Sequence, residues 1–513
     1  MRRAVSWLSL PLSTLRSVWI LLAAFAASRI AYYAAGVRFD LRPLTNYYQL
    51  VDPALLENHL LQTCWYMHTQ PPGFNFLVGL VLKAVSGASA RTVAFGAAYL
   101  LMDAASVLLL LLLQKELRVL PRVALALTVL FAVSPGLLLH ENLLMYEPPQ
   151  LFALLAGAYA LARLLRTGGL LWLAVFSFSI AGIAILRPTY HLLWVAIAAF
   201  GPIWFARRTP ARKLSTAMWV AALLACAAVG AFYVKNFVLY HRFGASTFAG
   251  VQADSITAWQ LTPAKREEFI AKGLISPISR VPGDAPLAEY KGYLHPVAPT
   301  GIPILDQEKN STGRDNLNNL QYLQADDIYI HDAIVLLRIY PQCYLQSVAI
   351  AWFTYFLPTG DFPFFDYNRP KIFGWDRLFN LLVFGQWKDA ADRKRLRREG
   401  PRFGMLLYES LSLLVLLPFL FCYGSWLVWR DWRGIRDSAF AGTVAFIVFT
   451  IATVSFISTF FASFECNRYR FPIDGFFVCL LGMAVSSALK RLQSQQSPTP
   501  AMSHGAPPER AAR

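Results

Sequence analysis

Charge is scarce in this sequence: Asp, Glu, Lys and Arg together make up 15% of 513 residues, against 56% for the apolar types. That deficit, with a mean hydropathy of +0.43, excludes an ordinary soluble domain, whose surface needs more polar cover. Acids are scarcer than bases, 30 against 47, for a formal charge of +17. Cysteine is rarer still. Cys64, Cys226, Cys343, Cys422, Cys466 and Cys479 show no CxxC or Cys/His spacing, which excludes the usual zinc and redox motifs. Cys226, Cys422 and Cys479 fall in apolar stretches and read as core residues; a disulfide among Cys64, Cys343 and Cys466 stays open. No internal repeat is present, and no soluble basic module, so nucleic acid is not a partner.

What is present is grease in long pieces. Apolar windows of roughly 17–25 residues can span a bilayer core, and ten are placed at 16–36, 92–113, 122–139, 150–165, 170–186, 190–206, 214–234, 405–428, 438–461 and 472–489. The N-terminal run passes Arg29 without a small-residue cleavage site, and reads as a retained first span. With the N-terminus inside, the inner loops carry Lys115, Arg118 and Arg122, then Arg163 and Arg166, Arg207 to Lys213, and Arg430 to Arg436. Lys and Arg stay on the side of synthesis, so the topology agrees with its loops. Residues 74–86 and 342–357 are apolar but short, and are expected not to cross. The base run at 393–398 then lies outside.

The expected class is an all-α polytopic membrane protein. Residues 1–234 form a membrane bundle with spans 1–7. Residues 235–404 form an external cap with juxtamembrane helices, 405–489 the C-terminal spans, and 490–513 a disordered tail. Seven of the eight histidines then face outward, all but His504. The sequon Asn310-Ser311-Thr312 lies in the cap and matters only in a host that glycosylates.

Polar chemistry collects at the outer junctions. The first outer loop, 37–72, carries Asp40, Asp52, His68 and Gln70-Pro71-Pro72. A carboxylate there can take a proton from a hydroxyl; the competing reading caps a helix with Asp40 or pairs it with Arg38 or Arg42. The prolines force an extended approach to the next helix and hold His68 and Gln70 on a stiff strut. The second loop repeats the logic with Glu141 and Glu147-Pro148-Pro149. Its spacing is no metal motif, so no metal ligand is assigned, though paired acids leave a divalent cation open. Arg187-Pro188-Thr189-Tyr190-His191 sets a cation at the mouth of a span, where it must be paired, snorkel, or face a polar cavity. Lys235-Asn236 and Glu465-Cys466-Asn467-Arg468-Tyr469-Arg470 add three more cations suited to phosphate oxygens.

This pattern resembles the integral-membrane glycosyltransferases of the GT-C fold, which use polyprenyl-phosphate sugars. Their relatives include protein O-mannosyltransferases, aminoarabinose transferases of lipid A and the bacterial RgtA/B/C/D-like enzymes. Members carry an acid soon after the first span and a proline pair about thirty residues later; Asp40 and Pro71 stand 31 apart. His68-Thr69-Gln70-Pro71-Pro72 is similar to the His-x-Gln-Pro-Pro form of some bacterial members. The likeness runs from about Trp19 to Arg208.

The resemblance implies a GT-C bundle of about 10 (10–12) transmembrane helices in a multi-pass membrane protein of the bacterial plasma membrane, active on its outer side. It implies inverting transfer of a sugar from a polyprenyl phosphate to a glycan, lipid or protein acceptor. Asp40 or Asp52 would be the base, with Glu141 or Glu147 the second acid. His68, Gln70, Arg187, His191, Lys235, Arg468 and Arg470 would bind substrate. The first acid is not the Asp-Glu doublet of the mannosyltransferases, so Asp52 competes with Asp40. A lipid-linked saccharide flippase or secondary transporter is the rival class, though transporters favour pseudo-symmetric halves, and this chain's halves differ.

Overall fold

The computed structural model describes residues 13–386, 411–434, 437–462 and 465–496. Helix α1 (Thr14–Ala34) leads through a long loop to α2 (Gly73–Ala84) and α3 (Ala88–Glu116). Next, α4 (Pro121–Ala132) and α5 (Pro135–Glu141) meet at a 52° bend. Then come α6 (Glu147–Thr167), α7 (Leu170–Leu186), α8 (Leu192–Ala206) and α9 (Ser215–Tyr240). A polar region holds α10 (Ala249–Ile256) and α11 (Gln321–Ile339), which turns through 101° into α12 (Gln342–Tyr355). The chain closes with α13 (Leu411–Gly434), α14 (Ser438–Phe460) and α15 (Cys466–Gln496). Among the described residues there is no strand, only isolated bridges.

This is an all-α, multi-pass membrane protein. Seven helices (α1, α3, α6, α9, α13, α14 and α15) are long and apolar enough to cross a bilayer, or up to nine if each bent pair is one span. Every one of the ten expected spans overlies a helix, but α7 and α8 have 17 and 15 residues. At about 1.5 Å per residue they fall short of a hydrocarbon core of about 30 Å. The bent α4–α5 pair occupies the expected third span. The short helix at 74–86 is α2, with 12 residues. The run at 393–398 and most of the expected tail lie outside the described residues; α15, however, continues helical to Gln496.

The bundle is organised around α6. Of its most apolar window 72% is buried, against 17% for α1, so α6 is central and α1 turns most of its surface to lipid. The small residues Gly157, Ala158, Ala160 and Ala162 are all buried along it, which lets neighbouring helices approach closely. A second apolar cluster joins the loop between α1 and α2 (Tyr47, Leu56, Met67) to Leu143, Met145 and Phe365. Two smaller clusters hold the polar region together, one built on Tyr290, Tyr322 and Tyr329, the other on Leu261, Phe269 and Leu336.

The contact of α10 with α11 depends on a glycine. Asp326 accepts hydrogen bonds from the Gly250 and Val251 amides at 2.6 and 3.0 Å, satisfying donors at the N-terminus of α10. A Cβ on Gly250 would overlap the Asp326 carbonyl, with its carbon at 2.7 Å. Gly250→Ala is therefore expected to destabilise this region by about 1–3 kcal/mol or more, read as a lowered unfolding temperature of the detergent-purified protein.

Candidate active site

The outer loops of the sequence reading meet at one end of the bundle. Asp40 pairs in a bridge with Leu143: its amide donates to the Asn142 carbonyl at 2.9 Å, and its carbonyl accepts from Leu144 at 3.1 Å. Asn368 ties a third segment on, donating to the Arg38 carbonyl at 2.8 Å. The first and second loops are thus laced through backbone, while their acids point elsewhere.

The strut 66–75 joins the first loop to the polar region. The Gln70 amide donates to the Gln49 carbonyl, and Asn75 accepts from the Val51 amide at 2.9 Å. Gly73 lets α2 start against α7; a Cβ there would stand 2.7 Å from the Ile185 carbonyl oxygen. His68 is fully buried. Its ring meets the Thr247 hydroxyl at 2.7 Å and the Asn318 carbonyl at 2.9 Å. Burial pushes its pKa down to about 4, so it is neutral at pH 7 and fastens this joint rather than carrying charge. Because the folded form resists protonation, stability is fully present above the ordinary value of 6.5 and is lost as pH falls toward 4. Acid unfolding of wild type over that interval should exceed that of His68→Gln, followed by tryptophan fluorescence.

The charged centre lies beside the strut. Pro188 drives Arg187, just after α7, into an extended conformation (φ −151°, ψ 137°). Its guanidinium sits between the rings of Tyr469 and Tyr146, at 3.8 and 4.5 Å from their centres. The Glu147 carboxylate, at the start of α6, faces Arg187 at 3.4 Å and Arg468 of α15 at 3.3 Å. Arg468 donates to the Tyr47 and Tyr146 hydroxyls at 2.8 and 3.1 Å and pairs with Glu465 at 2.9 Å. Tyr146 donates to the Gln49 side chain at 2.6 Å. Arg187, Arg468 and Glu147 are each under 5% exposed. Among the described residues the Arg187 Nη2 and one Glu147 oxygen have no hydrogen-bond partner.

Arg187 lines a cavity of about 260 Å³ with Gln49, Thr69, Gln70, Thr189 and Ser246. Ile457 and Phe461, at the end of α14, make its apolar wall. A second lobe, also about 260 Å³, is lined by Asp254, Asp284, Glu465, Ser255 and Trp259. The two share Tyr48, Phe248, Val251, Gln252, Ala462 and Tyr469. The two lobes share that wall; a cation lines the first and three acids line the second.

Of the residues expected from sequence, Arg187 and Gln70 line this cavity, and Glu147 and Arg468 brace it. The others are engaged elsewhere. Asp40 is gripped by Arg42, with contacts of 2.7–3.0 Å, the pairing foreseen as its competing reading. Asp52 caps the helix Pro53–Asn58 and holds Ser311, through its amide at 2.8 Å and its hydroxyl. Glu141 pairs with Arg29 of α1 at 2.6 Å. Lys235 donates to the Trp65 and Met67 carbonyls at 3.1 and 2.8 Å, capping the helix Leu60–Tyr66. Arg470 donates to the Tyr355 and Leu357 carbonyls and pairs with Asp474 at 2.9 Å. His191 stands at the start of α8 and lines neither lobe. Glu465, Asp254 and the tyrosines were not chosen from sequence. The signal available was Glu465 at the head of an arginine-rich junction.

No protein-family model matches the chain, and no curated protein matches it.

Among the described residues no group of three or more His, Cys, Asp or Glu side chains is arranged to hold a metal ion. Cys64 and Cys343 are free thiols, and the Cys466 thiol faces the Ser458 carbonyl.

Proposed function

We propose that this chain is a membrane glycosyltransferase that moves a sugar, with inversion, from a polyprenyl-phosphate donor to an acceptor hydroxyl on the outer face. The reading includes ten crossings, with an external cap drawn from the residues between α9 and α13. One observation carries it: a buried arginine, with no hydrogen-bond partner for its Nη2 among the described residues, lines a cavity that the apolar end of α14 also lines. A phosphate ester fits the guanidinium, and a polyprenyl tail fits the apolar wall.

In this proposal the acceptor hydroxyl enters from the cap side. Glu465 lines the cavity and is oriented by Arg468, so it takes the hydroxyl proton. The oxygen attacks the anomeric carbon, the bond from that carbon to the phosphate oxygen breaks, and the charge passes to the phosphate. Arg187 holds that charge where it develops. Asp40 and Asp52 line neither lobe, so the base role moves from them to Glu465. The test is transfer of radiolabelled sugar from a polyprenyl phosphate by purified protein; no transfer from any such donor, with the lipid nonetheless moved across sealed vesicles, would overturn the reading.

One feature favours the flippase or transporter reading. Arg29, Glu141 and the fully buried Asp103 of α3 cluster inside the bundle, where ionisable groups are costly and often mark a transport path. If that path operates, Asp103→Asn abolishes lipid movement in the same vesicles; if the cluster is structural, it lowers only stability.

A further inference from the structure

We propose that Gln70 reads the transferred sugar at the ring position next to its phosphate, so that the donor carries an O–H or N–H group there, and that Thr189 adds a second donor for the phosphate itself. The inference rests on the glycosyltransferase reading and adds the substrate class to it. Both residues line the Arg187 lobe, and both are more than nine-tenths buried, at 7% and 5% exposed. Among the described residues the Gln70 Oε1 and the Thr189 hydroxyl have no hydrogen-bond partner, and neither atom is sealed from the cavity. Buried polar atoms are almost always bonded, so two left open in one cavity await a polar ligand.

The fold fixes what each atom can do. The Gln70 amide nitrogen donates to the Gln49 carbonyl, which also accepts from Asn75 at 3.2 Å. Turning the Gln70 amide over would set two oxygens against each other with no hydrogen between them, so the end in the cavity is the oxygen. Gln49 is itself held by the Tyr146 hydroxyl at 2.6 Å. The Gln70 oxygen can only accept. The oxygens of an ionised phosphate diester can only accept too, so Gln70 must meet a different part of the donor. In a glycosyl phosphate the ring oxygen carries no hydrogen, and the hydrogen-bearing polar group closest to the phosphate is on the carbon next to the anomeric centre. A hydrogen bond there also strengthens as the anomeric carbon becomes cationic. Thr189 lies in the turn that the Tyr190 amide closes on the Arg187 carbonyl at 3.3 Å. Its hydroxyl therefore shares a turn with the guanidinium and can donate to the phosphate that Arg187 holds.

The experiment measures binding to the full-length purified protein by Trp fluorescence, with four probes: bare polyprenyl phosphate, and the same lipid carrying glucose, mannose or 2-deoxyglucose. Glucose and mannose differ only at the carbon next to the anomeric centre, and 2-deoxyglucose is the deoxy form of both. Wild type is expected to bind one of the two hydroxylated donors roughly tenfold more tightly than the deoxy donor. Gln70→Leu, or the longer Gln70→Met, should erase that difference while still binding bare lipid, which also shows that the variant is folded. Thr189→Val should weaken all four probes alike, by about tenfold, and keep the difference. A deoxy donor bound by wild type as tightly as both hexoses, or a preference that survives loss of the Gln70 amide, overturns the proposal for Gln70. Unchanged bare-lipid binding by Thr189→Val overturns it for Thr189. Absence of bare-lipid binding in wild type instead overturns the phosphate site, and with it the underlying reading.

Discussion

Arg187→Gln abolishes measurable sugar transfer and weakens binding of bare polyprenyl phosphate by about a hundredfold, because among the described residues no other cation lines that lobe. The substitution also leaves Glu147 facing Arg468 alone, so some stability is lost with it. A double variant, Glu147→Gln with Arg187→Gln, removes the acid that has lost one of its two cations and should recover part of the stability without recovering binding. Arg187→Lys keeps the charge but not the planar group stacked between Tyr146 and Tyr469, and should retain a minor fraction of activity. Normal lipid binding by the folded Gln variant would show that phosphate is held elsewhere.

The second large effect concerns proton transfer. Glu465→Gln should lower turnover by roughly a thousandfold while leaving donor affinity nearly unchanged, since an amide keeps the shape of the carboxyl but cannot take a proton. Asp40→Asn and Asp52→Asn serve as contrasts. Asp40 holds Arg42, which also reaches Asp366 at 2.7 Å, and Asp52 holds Ser311 of the polar region. Their loss is expected to cost unfolding temperature, with activity per folded molecule within a few fold of wild type. Should Asp52→Asn instead abolish turnover in a folded protein and Glu465→Gln spare it, the base lies in the first loop.

The differences between sequence reading and structure have particular causes. Every expected span became a helix because a run of apolar residues in lipid has no other way to satisfy its backbone. Arg187 was legible for the same reason: an arginine at a span junction before a proline must find polar company. His68, Lys235 and Arg470 looked just as suitable for phosphate, yet each spends its hydrogen bonds on protein groups, mostly backbone carbonyls. Lys235 closes the helix Leu60–Tyr66, Arg470 steadies the end of α12, and His68 joins the strut to the polar region at Thr247 and Asn318. Residue type and membrane side are properties of the chain; what a side chain meets depends on a partner 100 or more positions away. Asp254 illustrates the converse: only the fold brings it into one lobe with Tyr469 and Glu465.

What the sequence by itself determined is the class of the molecule: helical, membrane-crossing, with its charged junctions in the loops between spans. Hydropathy does this because burial in lipid is a sum over residues and needs no knowledge of their neighbours. The tertiary structure alone decided which ionisable groups face one cavity and which neutralise each other. That choice turns on pairing geometry within a few ångströms: Arg470 meets a carboxylate at 2.9 Å, while Arg187 lines a cavity.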